Sequence, residues 1–338
     1  MPAIVPPVQR THATTVCAAG RLHLGFLDPS GTLGRRFGSI GLQIDGFQTE
    51  VVIASAARDE WHADSPDAMA QLERAAQCVQ RLRAHSGHTA PLALSLRSVL
   101  PAHVGLGSGT QLALAVGRAF ARWQGLDVAT PTLAAWLGRG QRSGIGIAGF
   151  DLGGLLVDGG PGRDGSPAPL LARLELPAAW RIVVVLDGRT QGLSGAREAK
   201  AIAALPTFGV AQAAELCHQV LMRVLPGAAS DEFATFAAGI NRVQAMLGAH
   251  FAPAQDGSPW TSASVGRLLQ WVRGHAGDQA AVGQSSWGPT GFAIVPSVAA
   301  AQRLQDDARA AGMIDAALVL RTMAPRNRGA AVSGGTPR

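Results

Sequence analysis

The chain has 338 residues, of which 47% are hydrophobic and 15% charged, with a formal net charge of +6. That apolar content argues against disorder, and the length suits two domains of ~100–200 residues. Tyrosine is absent and aromatic residues make up only 5% of the chain, too few for a base-stacking nucleic-acid platform. Lys200 is the sole lysine, so the positive charge is almost entirely guanidinium, whose fork suits phosphate and carboxylate ligands. Cys17, Cys78 and Cys217 form no C-x-x-C pair, which speaks against a zinc site or a disulfide framework and for a reducing compartment. The segment MPAIVPPVQRTHATT has no apolar signal region, and no run approaches the ~18 residues of a membrane span. A cytoplasmic protein with no membrane partner is expected.

In chain order, short strand-like runs come first: TTVCAA, RLHLGFLD, GSIGLQI and TEVVIAS. Met69, Leu72, Ala76, Val79 and Leu82 then recur at helical spacing. PLALSLRSVLP reads as a strand, and GLGSGTQLALAVGRAFARW as a glycine loop entering a helix with Leu112, Val116, Ala119 and Trp123 toward a core. A short helix, TPTLAAWLGRG, precedes a loop-like RSGIGIAGFDLGG and a strand, LLVDGG. PGRDGSPAP marks a boundary, placing one domain at 1–168 and a second at 169–325. The second carries a strand at WRIVVVLDG, helices in REAKAIAAL, FGVAQAAELCHQVLMRVLPG, DEFATFAAGINRVQAMLG and TSASVGRLLQWVRGHAG, then GPTGFAIVP, a helix and ALVLRTM. Residues 326–338 read as a disordered tail. Strands and helices mix without strict alternation, so the class is α+β.

The most informative stretch is PAHVGLGSGTQLALA, Pro101 to Ala115. Gly105, Gly107 and Gly109 permit a sharp turn, and the helix behind them offers unpaired N–H groups and a positive dipole end, a ready anion site. No Lys-Ser/Thr follows as in a Walker loop, and the spacing is not that of a dinucleotide fingerprint. The stretch resembles the P-x-x-x-G-L-G-S-S loop of the GHMP superfamily of small-molecule kinases. GQSSWGPTGFAIV, Gly283 to Val295, resembles that superfamily's third glycine-rich motif. The resemblance implies a two-domain GHMP architecture, with an N-terminal domain like domain 2 of ribosomal protein S5 and a ferredoxin-like C-terminal domain.

Two details depart from the kinases. Ser108-Gly109-Thr110-Gln111 replaces Ser-Ser-Ala, and RSGIG at 142–146 puts Gly146 where several kinases carry a catalytic aspartate. The departures resemble the β-ribofuranosylaminobenzene 5′-phosphate synthase family. The matching pieces are Arg21, Leu22, His23, Gly25 and Asp28, then GLGSGTQ at 105–111, and RSGIGIAGFDLGGLLVDGG at 142–160. Gly192, Leu193, Gly195 and Glu198, and SSWGPT at 285–290, complete them. The resemblance implies a pentosyltransferase joining phosphoribosyl pyrophosphate to 4-aminobenzoate or 4-hydroxybenzoate, with loss of pyrophosphate and carbon dioxide. That reaction is an early step of tetrahydromethanopterin biosynthesis. Mg²⁺ or another divalent cation is implied, with no pyridoxal phosphate, nicotinamide or flavin; superfamily habit suggests a homodimer. The competing readings are an ATP-dependent GHMP kinase and an RNA-binding protein on the S5-like fold, the latter weakened by dispersed arginines and scarce aromatics.

On this reading Gly105, Gly107, Ser108, Gly109, Thr110 and Gln111 hold phosphate, and Arg21, Arg36 and Arg142 clamp phosphate or carboxylate. Ser143, Glu198, Ser285, Ser286, Gly288 and Thr290 complete the binding set. His23, Asp28, Asp151 and Asp158 are the catalytic candidates, with Asp28 or Asp158 as a metal ligand. Each has an ordinary alternative: His23 lies in an alternating strand, Asp28 precedes a proline, and Asp158-Gly159-Gly160 is a turn signature.

Overall fold

The computed structural model describes residues 13–192 and 195–334. Leu193, the signal-peptide reading of the first twelve residues and the last four residues of the expected tail lie outside them.

Two long runs of alternating apolar residues pair first. They form β1 (Thr14–Asp28) and β2 (Phe37–Ser55), antiparallel with Val16 opposite Val51 and Leu22 opposite Leu42. β3 (Glu60–Ala63), α1 (Pro66–Met69), α2 (Leu72–Ser86) and β4 (Leu92–Ser98) follow. Next come α3 (Ser108–Trp123), α4 (Thr130–Trp136), α5 (Ile145–Leu152), β5 (Leu155–Asp158) and β6 (Leu170–Leu174). The second half begins with β7 (Arg181–Asp187), α6 (Gly195–Ala204) and α7 (Val210–Gln219), which runs through a π-turn into α8 (Leu225–Ala229). α9 (Phe233–Phe251), α10 (Ala263–Ala276), β8 (Ala281–Gln284), β9 (Gly291–Val295), α11 (Val298–Ala310), β10 (Leu318–Met323) and β11 (Ala331–Gly334) complete it.

The first sheet runs β11-β1-β2-β4-β3, with β5 and β6 attached through β2. The second is antiparallel in the order β10-β7-β9-β8. Strand, helices, two strands, helix, strand along the chain, folded into that sheet order, is the ferredoxin-like arrangement expected for the second half. One apolar core lies between the first sheet and α2, α3 and α4, and includes Val16, Val51, Val79, Val116 and Phe120. A second joins the two sheets through α7, α8 and α9, uniting Leu22 and Leu42 with Ile182, Phe236, Ile240 and Phe292. A third lies between the second sheet and α10 and α11.

An irregularity in the β1–β2 pairing, where residues 44–47 of β2 stand opposite Gly20 of β1, decides what the site contains. The register with β2 shifts between Ala19 and Arg21. Val16 and Ala18 therefore pack on the α3 side, whereas Leu22 and Leu24 pack between the sheets. Such an irregularity re-aims side chains; here it turns Arg21 toward the start of α3.

Several expectations change. RSGIGIAGFDLGG is not a loop, because Ile145–Leu152 is helical. Its glycines lie where α5 presses on neighbours: a Cβ on Gly149 would collide with the Gln43 side chain. Met69 is exposed on α1 rather than part of the α2 stripe. β6 pairs with β5, so the crossing to the second sheet falls after Leu174, not at 168. Residues 326–334 are not a disordered tail. Arg326 N–H donates to Gln43 O at 3.0 Å, its guanidinium pairs with Asp45 at 2.8 Å, and β11 adds to the edge of β1. Among the described residues no helix is long and apolar enough to cross a membrane.

Truncation after Ala324 should therefore lower Tm by about 5 °C, at roughly 1.5 °C per kcal/mol for a chain of this size. Calorimetry of the truncated and full-length proteins decides.

Candidate active site

The glycine loop, β1 beyond the register shift, and the turn between β8 and β9 meet in one place. Gly105 and Gly107 adopt positive φ, 95° and 80°, a region open to glycine at little cost. A Cβ on Gly105 would strike the Ser285 carbonyl, and one on Gly288 the Val104 carbonyl. The two loops thus touch backbone to backbone. Ser285 Oγ donates to Gly105 O at 2.6 Å and accepts from His23 N–H at 3.0 Å, and Ser286 N–H donates to His23 O at 3.1 Å. Arg21 Nη1 donates to the same Gly105 carbonyl at 2.7 Å.

Gly107 caps α3 without a side-chain acceptor for the helix N–H groups. Thr110 and Gln111 N–H groups return to Gly107 O, which leaves those of Ser108 and Gly109 open at the positive end of the helix. Two guanidinia hang over this end. A Cβ on Gly109 would lie 3.2 Å from Arg74 Nη2 and 3.6 Å from Arg139 Nη1. Arg21 and Arg142 come from the other side. The result is a cleft of about 440 Å³ lined by Arg21, Arg74, Arg139, Arg142, His23 and the 105–110 loop, with Ser143, Glu198, Ser286 and Gly288.

Burial shapes its charges. Desolvation lowers Arg21 to about 10, with Glu198 opposing, and also lowers Arg139. His23, 4% exposed, is lowered to about 3 by desolvation and then by Arg21 and Arg142. It is therefore a neutral imidazole near pH 7, a hydrogen-bonding group rather than an imidazolium acid. Burial raises Glu198, although Arg142 pairs with it at 2.9 Å. The Arg142 Nη1 atom is buried without an acceptor. The excess of cation over carboxylate fits a polyanion.

Seven proposed residues are not on the cleft's lining. Asp28 is 4% exposed and holds its own turn, accepting from Gly31 N–H at 2.8 Å, Leu33 N–H at 2.7 Å and Thr32 Oγ1 at 3.3 Å. Asp158 accepts from Gly144 and Gly160 N–H, each at 2.8 Å, and from Ser143 Oγ at 3.2 Å; it holds the Arg142 loop in place. Asp151 is exposed and accepts from Thr130 Oγ1 at 2.6 Å. Arg36 is exposed over the Phe37 ring. Gln111 ties α3 to α5 through Gly146 O at 2.9 Å, Ser285 is the cross-link described above, and the buried Thr290 hydroxyl has no partner.

Asp28 and Asp158 do not fit a metal: their oxygens are spent on backbone, and no group of three or more His, Cys, Asp or Glu among the described residues could hold an ion. Glu198 is the one carboxylate on the cleft's lining, beside Ser108 and Thr110; Arg142 engages its Oε2, and its Oε1 could serve a Mg²⁺ ion held together with a bound phosphate. Gly146, at the kinase aspartate's position, faces Thr110: its Cβ would lie 3.1 Å from Thr110 Cγ2. Sequence reading missed Arg74 and Arg139, which carry no local motif, and Trp287, which lay inside the quoted SSWGPT run. A second cavity of about 540 Å³ adjoins the cleft and shares His23, Phe26, Ser286 and Trp287 with it.

A sequence profile described as GHMP kinases N terminal domain matches residues 72–154. The chain is 31% identical over 289 residues to a beta-ribofuranosylphenol 5'-phosphate synthase of Archaeoglobus fulgidus, covering 82% of this chain and 86% of that protein. It is 30% identical to the protein of the same name from Methanothermobacter thermautotrophicus, covering 66% and 73%. Among solved structures it resembles homoserine kinase from Cytophaga hutchinsonii, with a TM-score of 0.66 and 15% identity over 98% of this chain and 100% of the other. Mevalonate diphosphate decarboxylase from Staphylococcus aureus gives a TM-score of 0.66 at 14% identity, over 96% and 99%. These structures share the GHMP fold.

Two outcomes follow from the charges. Between about pH 3 and 6.5 the unfolded chain binds a proton at residue 23 that the folded chain refuses. This contribution is complete above pH 6.5 and is lost as pH falls through that window, by on the order of a few kcal/mol. The Tm difference between pH 7 and pH 5 should be smaller in His23→Asn than in the wild type. In calorimetric titration with inorganic pyrophosphate, Arg139→Ala should weaken binding about tenfold or more, whereas Arg309→Ala on the exposed face of α11 should not.

Proposed function

The chain belongs to the β-ribofuranosylphenol 5′-phosphate synthase family, and on that membership we propose that it condenses phosphoribosyl pyrophosphate with 4-hydroxybenzoate. The phenol in its relatives' names favours the hydroxy acid over 4-aminobenzoate. The observation that carries the reading is the convergence of Arg21, Arg74, Arg139 and Arg142 on the open N-terminus of α3. A sugar bearing both a phosphate and a pyrophosphate is an anion of matching density.

The chemistry needs charge placement more than proton transfer. The C–O bond between sugar and pyrophosphate breaks and its electron pair leaves on pyrophosphate. The ring carbon bearing the carboxylate bonds to the sugar carbon, with electrons supplied from the para oxygen. The bond to carbon dioxide then breaks and its pair restores the ring. Arginines and the α3 N–H groups stabilise charge gathering on the leaving group and cost no reorganisation as it forms. The rigid loop pair, locked by Ser285, holds the two reactants in one geometry. Neutral His23, on the wall shared by both cavities, can hydrogen-bond without neutralising the carboxylate that must depart. A divalent cation bound with the pyrophosphate supplies further charge neutralisation, and Glu198, Ser108 and Thr110 would hold it.

The kinase reading is disfavoured by Gly146, which leaves no carboxylate at the position where several kinases carry their catalytic aspartate, and a Cβ there would already sit tight, 3.1 Å from the Thr110 methyl. Incubation with phosphoribosyl pyrophosphate, Mg²⁺ and carboxyl-labelled 4-hydroxybenzoate should release labelled carbon dioxide only when both substrates are present. No ADP should form from ATP in a parallel reaction. ATP turnover without carbon dioxide release would return the chain to the kinases.

A further inference from the structure

The cavity beside the cationic cleft differs from it in character. Phe26, Leu247, Phe251, Pro259, Trp260 and Trp287 are among the large apolar side chains of its wall. Its volume, about 540 Å³, lies in the ~300–1,000 Å³ range of small-molecule pockets. Phe26, Phe251 and Trp287 form a continuous aromatic surface: ring centroids are 6.5 Å apart for Phe26 and Phe251 and 4.8 Å apart for Phe251 and Trp287. Polar groups lie on the shared wall, at His23 and Ser286, and beyond it. Gln244, Gln255, Gln270, Gln284 and Arg273 line this cavity and not the cleft.

Arg273 is the unusual member. It extends from the last turn of α10, and one Nη donates to Asn241 O at 3.3 Å. Its Nε is buried without an acceptor, and no carboxylate pairs with it among the described residues. A guanidinium beside an aromatic cavity with no counter-ion is costly to keep, unless a ligand brings the charge.

We propose that this cavity holds the aromatic acid and that Arg273 reads its para substituent, favouring a hydroxyl bound as phenolate over an amine. This rests on the function proposed above, and reaction geometry sets the orientation. The ring carbon that carries the carboxylate must reach the sugar carbon in the cleft. That end of the acid therefore meets the shared wall of His23, Ser286 and Trp287. The para group then faces the part of the cavity that the cleft does not share, where Arg273 lies. A phenolate there forms a charge-assisted hydrogen bond with the guanidinium and pushes electrons into the ring more strongly than a neutral phenol. An amine gains nothing from the cation, whose N–H groups it meets with donors of its own.

The test compares the full-length wild type with Arg273→Gln, Arg273→Lys and Ala245→Trp. Ala245 is an exposed α9 residue on the cavity wall, so its replacement fills the cavity without disturbing the core. At saturating phosphoribosyl pyrophosphate, Arg273→Gln should lower kcat/KM for 4-hydroxybenzoate about tenfold or more. It should change that for 4-aminobenzoate by less than about threefold, and Arg273→Lys should recover most of the loss. Ala245→Trp should raise KM for both acids. Near-ultraviolet difference spectra of bound 4-hydroxybenzoate should show the red-shifted phenolate band in the wild type and the neutral phenol band in Arg273→Gln. Unchanged KM for both acids in Arg273→Gln and Ala245→Trp, with an active wild type, would overturn the pocket. If the wild type released no carbon dioxide, the proposed reaction would fail by itself. A phenolate band abolished by Arg273→Gln would still support the pocket, and its absence from the wild type would remove it.

Discussion

Everything at the site hangs on one carbonyl. Gly105 O accepts from Arg21 at 2.7 Å and from Ser285 at 2.6 Å. These donors come from the first strand and from a turn 180 residues beyond the loop, so one acceptor fixes the glycine loop to both halves of the molecule. The contact is possible only because Gly105 and Gly288 lack side chains, since a Cβ on either would strike the opposite backbone. Ser285 makes its bond with a short side chain that has little rotamer freedom to lose, and the glycine backbones pack directly on each other. The loop therefore holds its shape before any ligand arrives, which is what electrostatic stabilisation of a leaving group requires.

The same preorganisation leaves charge unbalanced. Arg74, Arg139, Arg21 and Arg142 share one partly buried space with a single facing carboxylate, Glu198. Burial already lowers Arg21 and Arg139 toward the uncharged form. Such a cluster opposes folding on its own and is relieved by an anion that binds only the folded state. Stability and ligand affinity are thus two readings of the same repulsion.

The fold was legible where backbone geometry dictates residue type. Gly105, Gly107 and Gly288 had to be glycine, and the motifs around them led to the two-domain architecture. Residues that reach the site across space were hidden. Arg74 sits on a helix face that reads like any solvated face, and Arg139 follows an ordinary helix end. The aspartates misled for a physical reason. Asp28 and Asp158 look like catalytic carboxylates in a motif, yet their oxygens saturate turn N–H groups, and sequence alone does not separate these uses. Glycine content also disguised α5, whose glycines serve close packing rather than flexibility. The last strand escaped because backbone pairing needs no apolar pattern, and all four residues of β11 are exposed.

That last strand has a consequence for how the protein is made. Ala331–Val332–Ser333–Gly334 completes the sheet along β1, the strand that carries Arg21 and His23. Until those residues emerge from the ribosome, the N-terminal half of β1 presents an open edge, the kind of surface on which chains pair wrongly. The first domain is synthesised first, yet it is closed last. The nascent chain must hold an unfinished sheet through the synthesis of the entire second domain.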